Sequence, residues 1–575
     1  MNCVRGEGDI RKYPFSRKTY SADELLVFNH GGSSLNESSE AKGHEVILNE
    51  SDSEARSIFT KLIDWFHSNP VPVTLFIVSV ITTAISCAYY ISTMLGLGNP
   101  GFTLDDSWIH LQFARTIYEG TPWEYSPSYP STGSTSPLWS ILLSVIFFFT
   151  SDTISVVWGV LMISILFFIA CSFLVGYLIQ AYTESSLWGI VGILGFVILP
   201  RNTWLMLSGM ETPLFMFILL FSIYLLDRTD LKADLLLGVF AGLAYLSRPE
   251  GVLIAVLLIP FRFLMLSYKR QVNRKRILTL IISGIVAIII VLPWILHCIN
   301  VTGLPLPDTF YAKVHSPTDV EKEAWDIWWY FFVREMYFLL FGISAGVFLL
   351  LKGKPFPWIL AVSLTILYRL SAPYASLINN ARYLVPIFDL FLIAAVVFAA
   401  WIIEASFEKL LKVKGTMDVR YLSVIAISIL LLVPLIPSYV SQADYFTKSV
   451  RTINDMHVGI GTWLAENTPE DAVFATHDAG AIRYISGRRM IDLAGLLSPD
   501  IIHGNMSSTE TLRYLRQQGC NYFVFFDELF IWWTLFLPSN AYERIYTVHI
   551  PPEIYASAGR DTMSVFQIYW ENTTY

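Results

Sequence analysis

The sequence predicts a polytopic α-helical membrane protein with about eleven transmembrane helices and a small α/β domain at its C-terminal end. Of its 575 residues, 54% are hydrophobic and only 15% are charged, whereas soluble domains carry roughly 25% charged residues. The mean hydropathy is +0.52. This composition excludes a soluble multidomain protein, and an aromatic content of 15% excludes a disordered chain.

Apolar runs long enough to cross a hydrocarbon core of ~30 Å recur almost to residue 440. Residues 1–70 are polar and are predicted to form a flexible cytoplasmic tail, and residues 71–440 to form the transmembrane domain. The apolar run 137–150 is interpreted as a juxtamembrane or partly inserted helix. The predicted spans are 72–93, 155–181, 186–200, 213–227, 234–247, 251–267, 277–297, 335–351, 357–371, 384–404 and 420–439.

Basic residues predict the orientation, because Lys and Arg concentrate in cytoplasmic loops. The stretch 262–276 carries six basic residues and no acid, and further basic residues lie at 352–354 and 409–420. With these loops inside, we expect an integral protein of the plasma membrane with a cytoplasmic N-terminus. The outer loop 94–154 and residues 441–575 are then extracytoplasmic. Only the turn at 182–185 lacks the basic residue that this orientation predicts.

The C-terminal section has a different pattern. Short β-type runs at 471–476, 489–493 and 521–526 alternate with helix-like stretches at 453–466 and 508–518. This alternation predicts an extracytoplasmic α/β domain at 441–575.

Charge and cysteine content exclude two further classes. The formal net charge is −8, so the chain as a whole lacks the basic excess that binding to nucleic acid requires. The five cysteines are far apart and mostly lie in apolar runs. They are interpreted as packing residues, not as a disulfide framework or a zinc site.

Two adjacent acids, Asp105 and Asp106, follow the first predicted span. Their repulsion raises the pKa of one of them and suits it to act as a base. Alternatively, the pair holds a divalent cation, or Asp105 caps the start of a helix. In such a helix His110 lies one turn after Asp106 on the same face, and Arg115 is near His110 on the following turns.

The segment DDSWIHLQFAR, followed by GSTSPLW, resembles the first outer loop of the GT-C superfamily of membrane glycosyltransferases. Relatives in that superfamily are protein O-mannosyltransferases, the lipid A aminoarabinose transferase and mycobacterial terminal arabinofuranosyltransferases. The resemblance continues almost to residue 500, and in the predicted topology its motifs share the outer side. The further matching motifs are SGMETPL at 208–214, SRPEG at 247–251, NARYLVP at 380–386, ATHDAG at 475–480 and IDLAG at 491–495.

The resemblance implies an inverting glycosyltransferase with a GT-C-like fold. It implies transfer of a sugar from a polyprenyl-phosphate-linked donor to a hydroxyl of a glycan, lipid or protein acceptor. Asp105 is then the general base, Asp106 its helper, and Glu211 a second acid that orients the acceptor. The alternative for these three acids is a divalent cation, Mg²⁺ or Mn²⁺, as the only cofactor. For Glu211, a location at the start of a helix is the simpler explanation.

Cations at the membrane edge are expected to hold the departing lipid phosphate, because a guanidinium pairs with two phosphate oxygens at once. The candidates, in order, are Arg382, Arg248 and Lys313. The alternative for each is an interaction with lipid headgroups. Three further candidates complete the site: Tyr383 beside Arg382, and His477 and Asp478 in what we interpret as a turn at the end of a strand.

Two other classes of function fit part of this pattern. A transporter or flippase for lipid-linked sugars also carries charged residues in its membrane domain, but it predicts them near the middle of spans. A non-catalytic protein that binds glycolipid is the second alternative, and the adjacent acids argue against it.

Overall fold

The computed structural model describes residues 68–314, 342, 344–371, 378–410 and 417–575. Residues Pro70–Tyr575 form one compact unit. The predicted N-terminal tail lies almost entirely outside the described residues, as does about half of the predicted span at 335–351. The domain boundary at 440 and 441 therefore stays a prediction.

Helices occupy the predicted spans throughout the described part of the chain. Six helical stretches there are long and apolar enough to cross a membrane, and four shorter apolar helices accompany them. These observations confirm the mostly helical membrane fold, whereas the number of crossings stays a prediction. The helices over the predicted spans are Pro70–Leu97, Thr153–Thr183, Ser186–Ile198, Thr212–Asp227, Leu231–Ser247, Gly251–Tyr268, Arg274–Thr302, Gly346–Leu351, Phe356–Ser371, Val385–Leu410 and Met417–Leu432.

Glycines allow neighbouring helices to approach closely. A Cβ atom on Gly238 would lie 2.0 Å from the carbonyl oxygen of Ser283, and one on Gly176 would lie 2.5 Å from Ile193. Close approach through small residues is a common way to pack membrane helices, where no hydrophobic effect drives association. The glycines in these apolar runs therefore set the helix spacing.

The basic segments and the candidate site lie at opposite ends of the helix Thr212–Asp227. Glu211 immediately precedes this helix. At the other end, Lys354 Nζ lies 2.5 Å from an Asp227 carboxylate oxygen, and Arg262 donates to a carbonyl in the last turn at 2.8 Å. The acids and the basic loops are thus on opposite sides of the bundle, as the positive-inside pattern requires. Which side faces the cytoplasm stays a prediction.

The loop after the first span contains the helix Asp106–Tyr118, a short hairpin of β1 (Glu124–Ser126) and β2 (Tyr129–Pro130), and the apolar helix Pro137–Ser144. A 3₁₀ turn, Val145–Phe148, continues that last helix. Phe148 and Phe149 are 72% and 84% exposed, which fits a segment that inserts into lipid. Two further short helices near the site are Asn202–Met206 and Asp308–Val314.

A five-stranded mixed sheet forms the C-terminal part. Its strands are β3 (Val473–Thr476), β4 (Arg489–Asp492), β5 (Cys520–Phe526), β6 (Tyr542–His549) and β7 (Thr562–Ile568), in the order β4-β3-β5-β7-β6. β3 is parallel to β4 and β5, and β7 is antiparallel to β5 and β6. The first three strands match the β-type runs of the sequence, whereas β6 and β7 were not predicted.

Helices complete this α/β part and join it to the outer loop. A core of Phe113 and Tyr125 from the outer loop with Met456 and Phe474 from the C-terminal part links the two. The α-helices are Ile436–Thr452, Gly459–Asn467, Ala481–Ser486, Pro499–His503, Ser508–Gln517 and Asp527–Thr534. A π-helix, Ile453–Val458, connects the first two.

Candidate active site

A cavity of about 550 Å³ lies at the end of the helix bundle that carries the acidic motifs. Its charged and ionisable lining comprises Asp106, His110, Glu211, Arg248, Glu250 and Arg382. The remaining wall is largely apolar and aromatic and includes Met210, Tyr245, Leu306, Phe310, Leu367, Tyr368, Tyr383 and Leu496. The cavity therefore combines a charged cluster with an apolar surface.

Asp106 lies at the start of the outer-loop helix and is held by Arg382. The Arg382 Nη2 atom lies 2.6 Å from Asp106 Oδ2 and 3.3 Å from the hydroxyl of Tyr383. Arg382 is almost fully buried, whereas the Asp106 side chain is 37% exposed. Asp106 is thus paired with a buried cation and remains accessible from the cavity.

The backbone before Arg382 is unusual. Asn379, Asn380 and Ala381 have φ values of 52°, 62° and 55°. This is the left-handed region of backbone conformation, which residues other than glycine rarely adopt. Arg201 stabilises this turn by donating to the carbonyl oxygen of Asn380 at 3.0 Å. Strained backbone of this kind is typical of functional sites, where it fixes the direction of the following side chain.

Glu211 forms a buried network with His110 and Arg248. His110 Nε2 lies 3.2 Å from Glu211 Oε2, and Arg248 Nε lies 3.5 Å from Glu211 Oε1. Burial raises the pKa of Glu211, but the hydrogen bond from His110 and the charge of Arg248 outweigh it and lower the pKa to about 2. Glu211 occupies the N-cap position of the helix Thr212–Asp227, as the simpler explanation predicts, but its side chain makes no cap hydrogen bond there.

Arg248 is the most deeply buried cation of the cavity, with 1% of its surface exposed. Its Nε atom lies 2.7 Å from Glu250, which also accepts a hydrogen bond from the hydroxyl of Tyr368. The guanidinium lies 4.5 Å from the centre of the Tyr383 ring. Its Nη1 and Nη2 atoms have no hydrogen-bond partner among the described residues. Arg248 lines the cavity and has two donors that no described residue uses.

Asp105 is not part of the cavity lining, contrary to the expectation for a general base. Its two carboxylate oxygens accept hydrogen bonds from the backbone amides of Gly480 and Ala481, each at 2.7 Å. A Cβ atom at position 480 would lie 2.1 Å from the Asp105 carbonyl oxygen, so this approach requires glycine. Asp105 caps a helix of the α/β part instead of its own helix and ties that part to the outer loop.

Two further groups lie near Asp105. His457 Nε2 lies 3.0 Å from an Asp478 carboxylate oxygen. Burial lowers the pKa of His457, but Asp478 and Asp105 outweigh this effect and raise it. For Asp105, burial acts in the other direction and raises the pKa to about 6, although the charge of His457 opposes this shift. No motif in the sequence pointed to His457, which lies in the π-helix Ile453–Val458.

Three predicted candidates lie away from the cavity. The His477 ring packs against Phe525 and Phe526, and Asp478 pairs with His457. Arg115 donates to the carbonyl oxygen of Tyr484 at 3.0 Å. The side chain of Lys313 lies outside the described residues, at the end of the helix Asp308–Val314.

The acids do not fit the predicted divalent cation. Each of the three carboxylates is engaged by a different donor: Asp105 by backbone amides, Asp106 by Arg382, and Glu211 by His110 and Arg248. In the part of the chain that the structure describes, no three His, Cys, Asp or Glu side chains are arranged to hold a metal ion. We derive no step through a cation.

Two cavity residues were missed by the sequence analysis. Glu250 belongs to the SRPEG motif, so its proximity to Arg248 could have been inferred. Tyr368 lies within a predicted span, and the sequence carries no signal that its hydroxyl reaches Glu250.

Residues 448–566 match a family model described as a domain of unknown function (DUF8728). No curated protein matches the sequence significantly. ArnT from Cupriavidus metallidurans bound to undecaprenyl phosphate matches with a TM-score of 0.52 and 12% identity, over 85% of this chain and 97% of that one. Its apo state gives a TM-score of 0.50 and 10% identity, over 86% and 98%. The chain has a GT-C-like fold.

A third structure, the Archaeoglobus fulgidus oligosaccharyltransferase in complex with Zn and sulfate, matches with a TM-score of 0.49 and 14% identity, over 82% of this chain and 72% of that one. The two ArnT structures confirm the predicted fold class: a helical membrane protein with a small C-terminal sheet. At these identities the likeness concerns the fold.

Proposed function

We propose that this protein is a glycosyltransferase that moves a sugar from a polyprenyl-phosphate-linked donor to an acceptor hydroxyl in the cavity. One observation carries the proposal. Arg248, whose two Nη atoms have no hydrogen-bond partner in the described part of the chain, lines the same largely apolar cavity as Asp106, whose carboxylate is accessible. The GT-C-like fold supports it, because ArnT, which shares this fold, has been captured with undecaprenyl phosphate.

Arg248 is the residue that we assign to the donor phosphate. A buried guanidinium forms strong, paired hydrogen bonds to phosphate oxygens, and the apolar wall of the cavity suits a lipid chain. As the phosphate leaves, its charge grows, and a buried cation stabilises it more than water would. The sequence ranked Arg382 first for this role, but the Nη2 atom of Arg382 is engaged by Asp106.

Asp106 is our candidate for the general base. The acceptor oxygen attacks the anomeric carbon of the donor sugar, and the bond from that carbon to the phosphate oxygen breaks. The acceptor proton passes to the Asp106 carboxylate, and the electron pair leaves with the polyprenyl phosphate. Because this is a single displacement, the configuration at the anomeric carbon inverts. Arg382 holds the base ionised and oriented.

Glu211 and Glu250 are positioning residues in this scheme. Both lie within salt-bridge distance of Arg248 Nε, and neither forms a hydrogen bond with its Nη atoms. His110 links Glu211 to the helix of Asp106. The network therefore fixes the distance between the phosphate-binding residue and the base.

The location of the reaction follows from the predicted topology. We propose that the cavity faces the extracytoplasmic side of the plasma membrane, together with residues 441–575, and that the N-terminus is cytoplasmic. The acceptor is a glycan, lipid or protein that reaches the membrane surface from that side.

The transporter alternative predicts charged groups in the middle of spans. The described cavity charges instead lie at helix ends, since Asp106 begins one helix and Arg248 follows the end of another. This position favours chemistry at the membrane surface over passage through the bilayer.

The test is an assay with purified protein in lipid nanodiscs. A panel of polyprenyl-phosphate pentoses and hexoses is supplied with cell-envelope extract as the source of acceptor, and mass spectrometry measures released polyprenyl phosphate and glycosylated product. The proposal predicts both products with at least one donor and neither with Asp106→Asn. Movement of lipid-linked sugar across vesicles, with no transfer, would favour the transporter.

A further inference from the structure

A second, polar pocket of about 390 Å³ lies on another face of the outer-loop helix Asp106–Tyr118. Gln112, Arg115 and Glu119 line it, and their spacing of three and four residues places them on one helical face. Asp106 and His110 lie on a different face and line the main cavity. The two pockets therefore flank the same helix.

Two arginines dominate the polar pocket. Arg483, from the α/β part, is 6% exposed, and its Nε atom donates to the carbonyl oxygen of Tyr125 at 3.2 Å. Arg115 donates to the Tyr484 carbonyl, and its guanidinium lies 3.7 Å from the centre of the Tyr484 ring. Within the described part of the chain, neither arginine has a carboxylate in salt-bridge range, so both are held by neutral groups only.

Within the described residues, the two acids of the pocket form no salt bridge with either arginine. Glu119 is exposed to solvent, and Glu124 accepts a hydrogen bond from the amide of Ser128 at 2.8 Å. Burial is the main cause that lowers the pKa of Arg483, and the positive charge of Arg115 lowers it further. Tyr125 and Glu119 act in the opposite direction but do not cancel the shift. A buried charge without a partner is costly, so an anion bound between the two arginines would be strongly favoured.

Gln112 adds a second unpaired group. Its side chain is 2% exposed, and its amide nitrogen donates to the Tyr125 carbonyl at 3.3 Å. Its Oε1 atom has no hydrogen-bond partner among the described residues. Together with the arginines, this acceptor matches a ligand that carries both anionic oxygens and a hydroxyl, as hydrogen phosphate and the phosphoglycerol headgroup of a lipid do.

The pocket lies close to the segment that is predicted to insert into lipid. Tyr118, at the end of the same helix, packs edge-to-face against Phe148 with ring centres 5.0 Å apart. Phe148 and the following Phe149 are highly exposed. A lipid headgroup at the membrane surface is therefore within reach of this pocket.

We propose that this pocket is a second phosphate-binding site, in which Arg115 and Arg483 hold one phosphate group between them. The site is separate from the donor phosphate at Arg248 and takes no part in the transfer step. Its phosphate comes either from the headgroup of an anionic phospholipid or from solution.

The first experiment separates the two phosphate sites. The full-length protein carries Arg248→Gln, which weakens the donor site, and is placed in nanodiscs made only of phosphatidylcholine. Its thermal midpoint is then measured at increasing concentrations of inorganic phosphate. We expect a stabilising shift that persists in this background. The phosphate concentration for half of the shift should rise at least about tenfold when Arg115→Gln or Arg483→Gln is added, since one charge-assisted pair is lost.

The matched control is Arg513→Gln, which removes an exposed arginine from a helix of the α/β part and should leave the titration unchanged. Arg483→Lys, which retains the charge, should recover part of the affinity. If the titrations with Arg115→Gln and Arg483→Gln match that with Arg513→Gln, the proposal is wrong. Loss of all phosphate binding with Arg248→Gln alone would equally overturn it, while supporting the donor site.

The second experiment identifies the source of the phosphate. Native mass spectrometry compares lipid retention after exchange into phosphatidylglycerol or phosphatidylcholine. Phosphatidylglycerol that is retained by Arg513→Gln but lost from Arg483→Gln indicates a lipid headgroup. A phosphate-dependent thermal shift without retained lipid indicates phosphate from solution. Absence of both effects overturns the proposal. The donor assay with Arg248 variants is independent of these outcomes.

Discussion

The variants Asp105→Asn and Asp106→Asn test which of the two adjacent acids is the general base. In our assignment Asp106 is the base, and Asp105 has a structural role. The two variants differ by one position in the chain and remove the same charge. In the structure, Asp105 binds two backbone amides of the α/β part, whereas Asp106 lines the cavity. We therefore expect the two variants to differ in activity, with sugar transfer retained in Asp105→Asn and lost in Asp106→Asn.

For Asp105→Asn, two contributions to stability oppose each other. The amide oxygen can accept only one of the two hydrogen bonds, and a hydrogen bond to a charged group is worth about 1.5–3 kcal/mol. The variant also removes a carboxylate whose pKa burial raises to about 6, so it relieves part of the cost of a buried charge. The net change should be small, and the protein should fold and retain activity within about tenfold, as expected for a group outside the cavity.

For Asp106→Asn, the carboxylate is partly exposed, but its partner Arg382 is almost fully buried. Loss of the negative charge leaves that guanidinium without its carboxylate, so the variant should be less stable than wild type by more than the ~0–1 kcal/mol of a surface ion pair. Loss of a general base typically lowers the rate by ~10²–10⁴. Donor binding should persist, because Arg248 is untouched.

The assay is the nanodisc measurement of released polyprenyl phosphate, combined with thermal unfolding and donor binding for each variant. A folded Asp105→Asn protein that binds donor but does not transfer sugar, beside an active Asp106→Asn protein, would refute our assignment. It would return the base to Asp105, as the sequence analysis predicted.

Three further predictions follow from the structure. Arg248→Gln should weaken donor binding by about 10–100-fold, from the loss of charge-assisted hydrogen bonds, and Arg248→Lys should recover only part of it; unchanged donor titration in a folded Arg248→Gln protein would move the role to Arg382. Because the pKa of Asp105 is raised from 3.8 to about 6, the native state binds more protons than the unfolded state between these values, so this group makes the wild type less stable as pH rises from about 4 to 6. The thermal midpoint of Asp105→Asn relative to wild type should therefore increase over that range, and a constant or falling difference would contradict the assignment. Single cysteines introduced within 262–276 should react with membrane-impermeant maleimide only after permeabilisation, and one at position 460 should react in intact cells; the reverse pattern would place the cavity on the cytoplasmic side.

The sequence by itself determined the membrane class and the fold. Apolar runs and the concentration of basic residues depend on the local chain, because each transmembrane helix satisfies its own backbone hydrogen bonds. The alternation of short strands and helices after residue 441 is also local, and it predicted β3, β4 and β5. The edge strand β6 was missed because its residues are largely exposed and carry no buried alternation.

The order of the motifs also placed Asp106, Glu211, Arg248 and Arg382 on one side of the membrane, and the structure brings all four to one cavity. The sequence could not decide which of the two adjacent acids, Asp105 or Asp106, has the catalytic role. Asp105 and Asp106 are chemically identical and adjacent. No property of the local chain therefore shows which of them binds the backbone amides of the α/β part and which is the base.

Only the tertiary structure decided which acid faces the cavity, because the partners of Asp105 come from a loop more than 370 residues away. The same holds for Arg248 and Arg382. Both are buried guanidinium groups. Arg382 has Asp106 opposite its Nη2 atom, whereas the Nη atoms of Arg248 have no hydrogen-bond partner among the residues that the structure describes. The function of a charged side chain depends on which of its donors and acceptors are already used, and that depends on contacts between segments distant in the sequence.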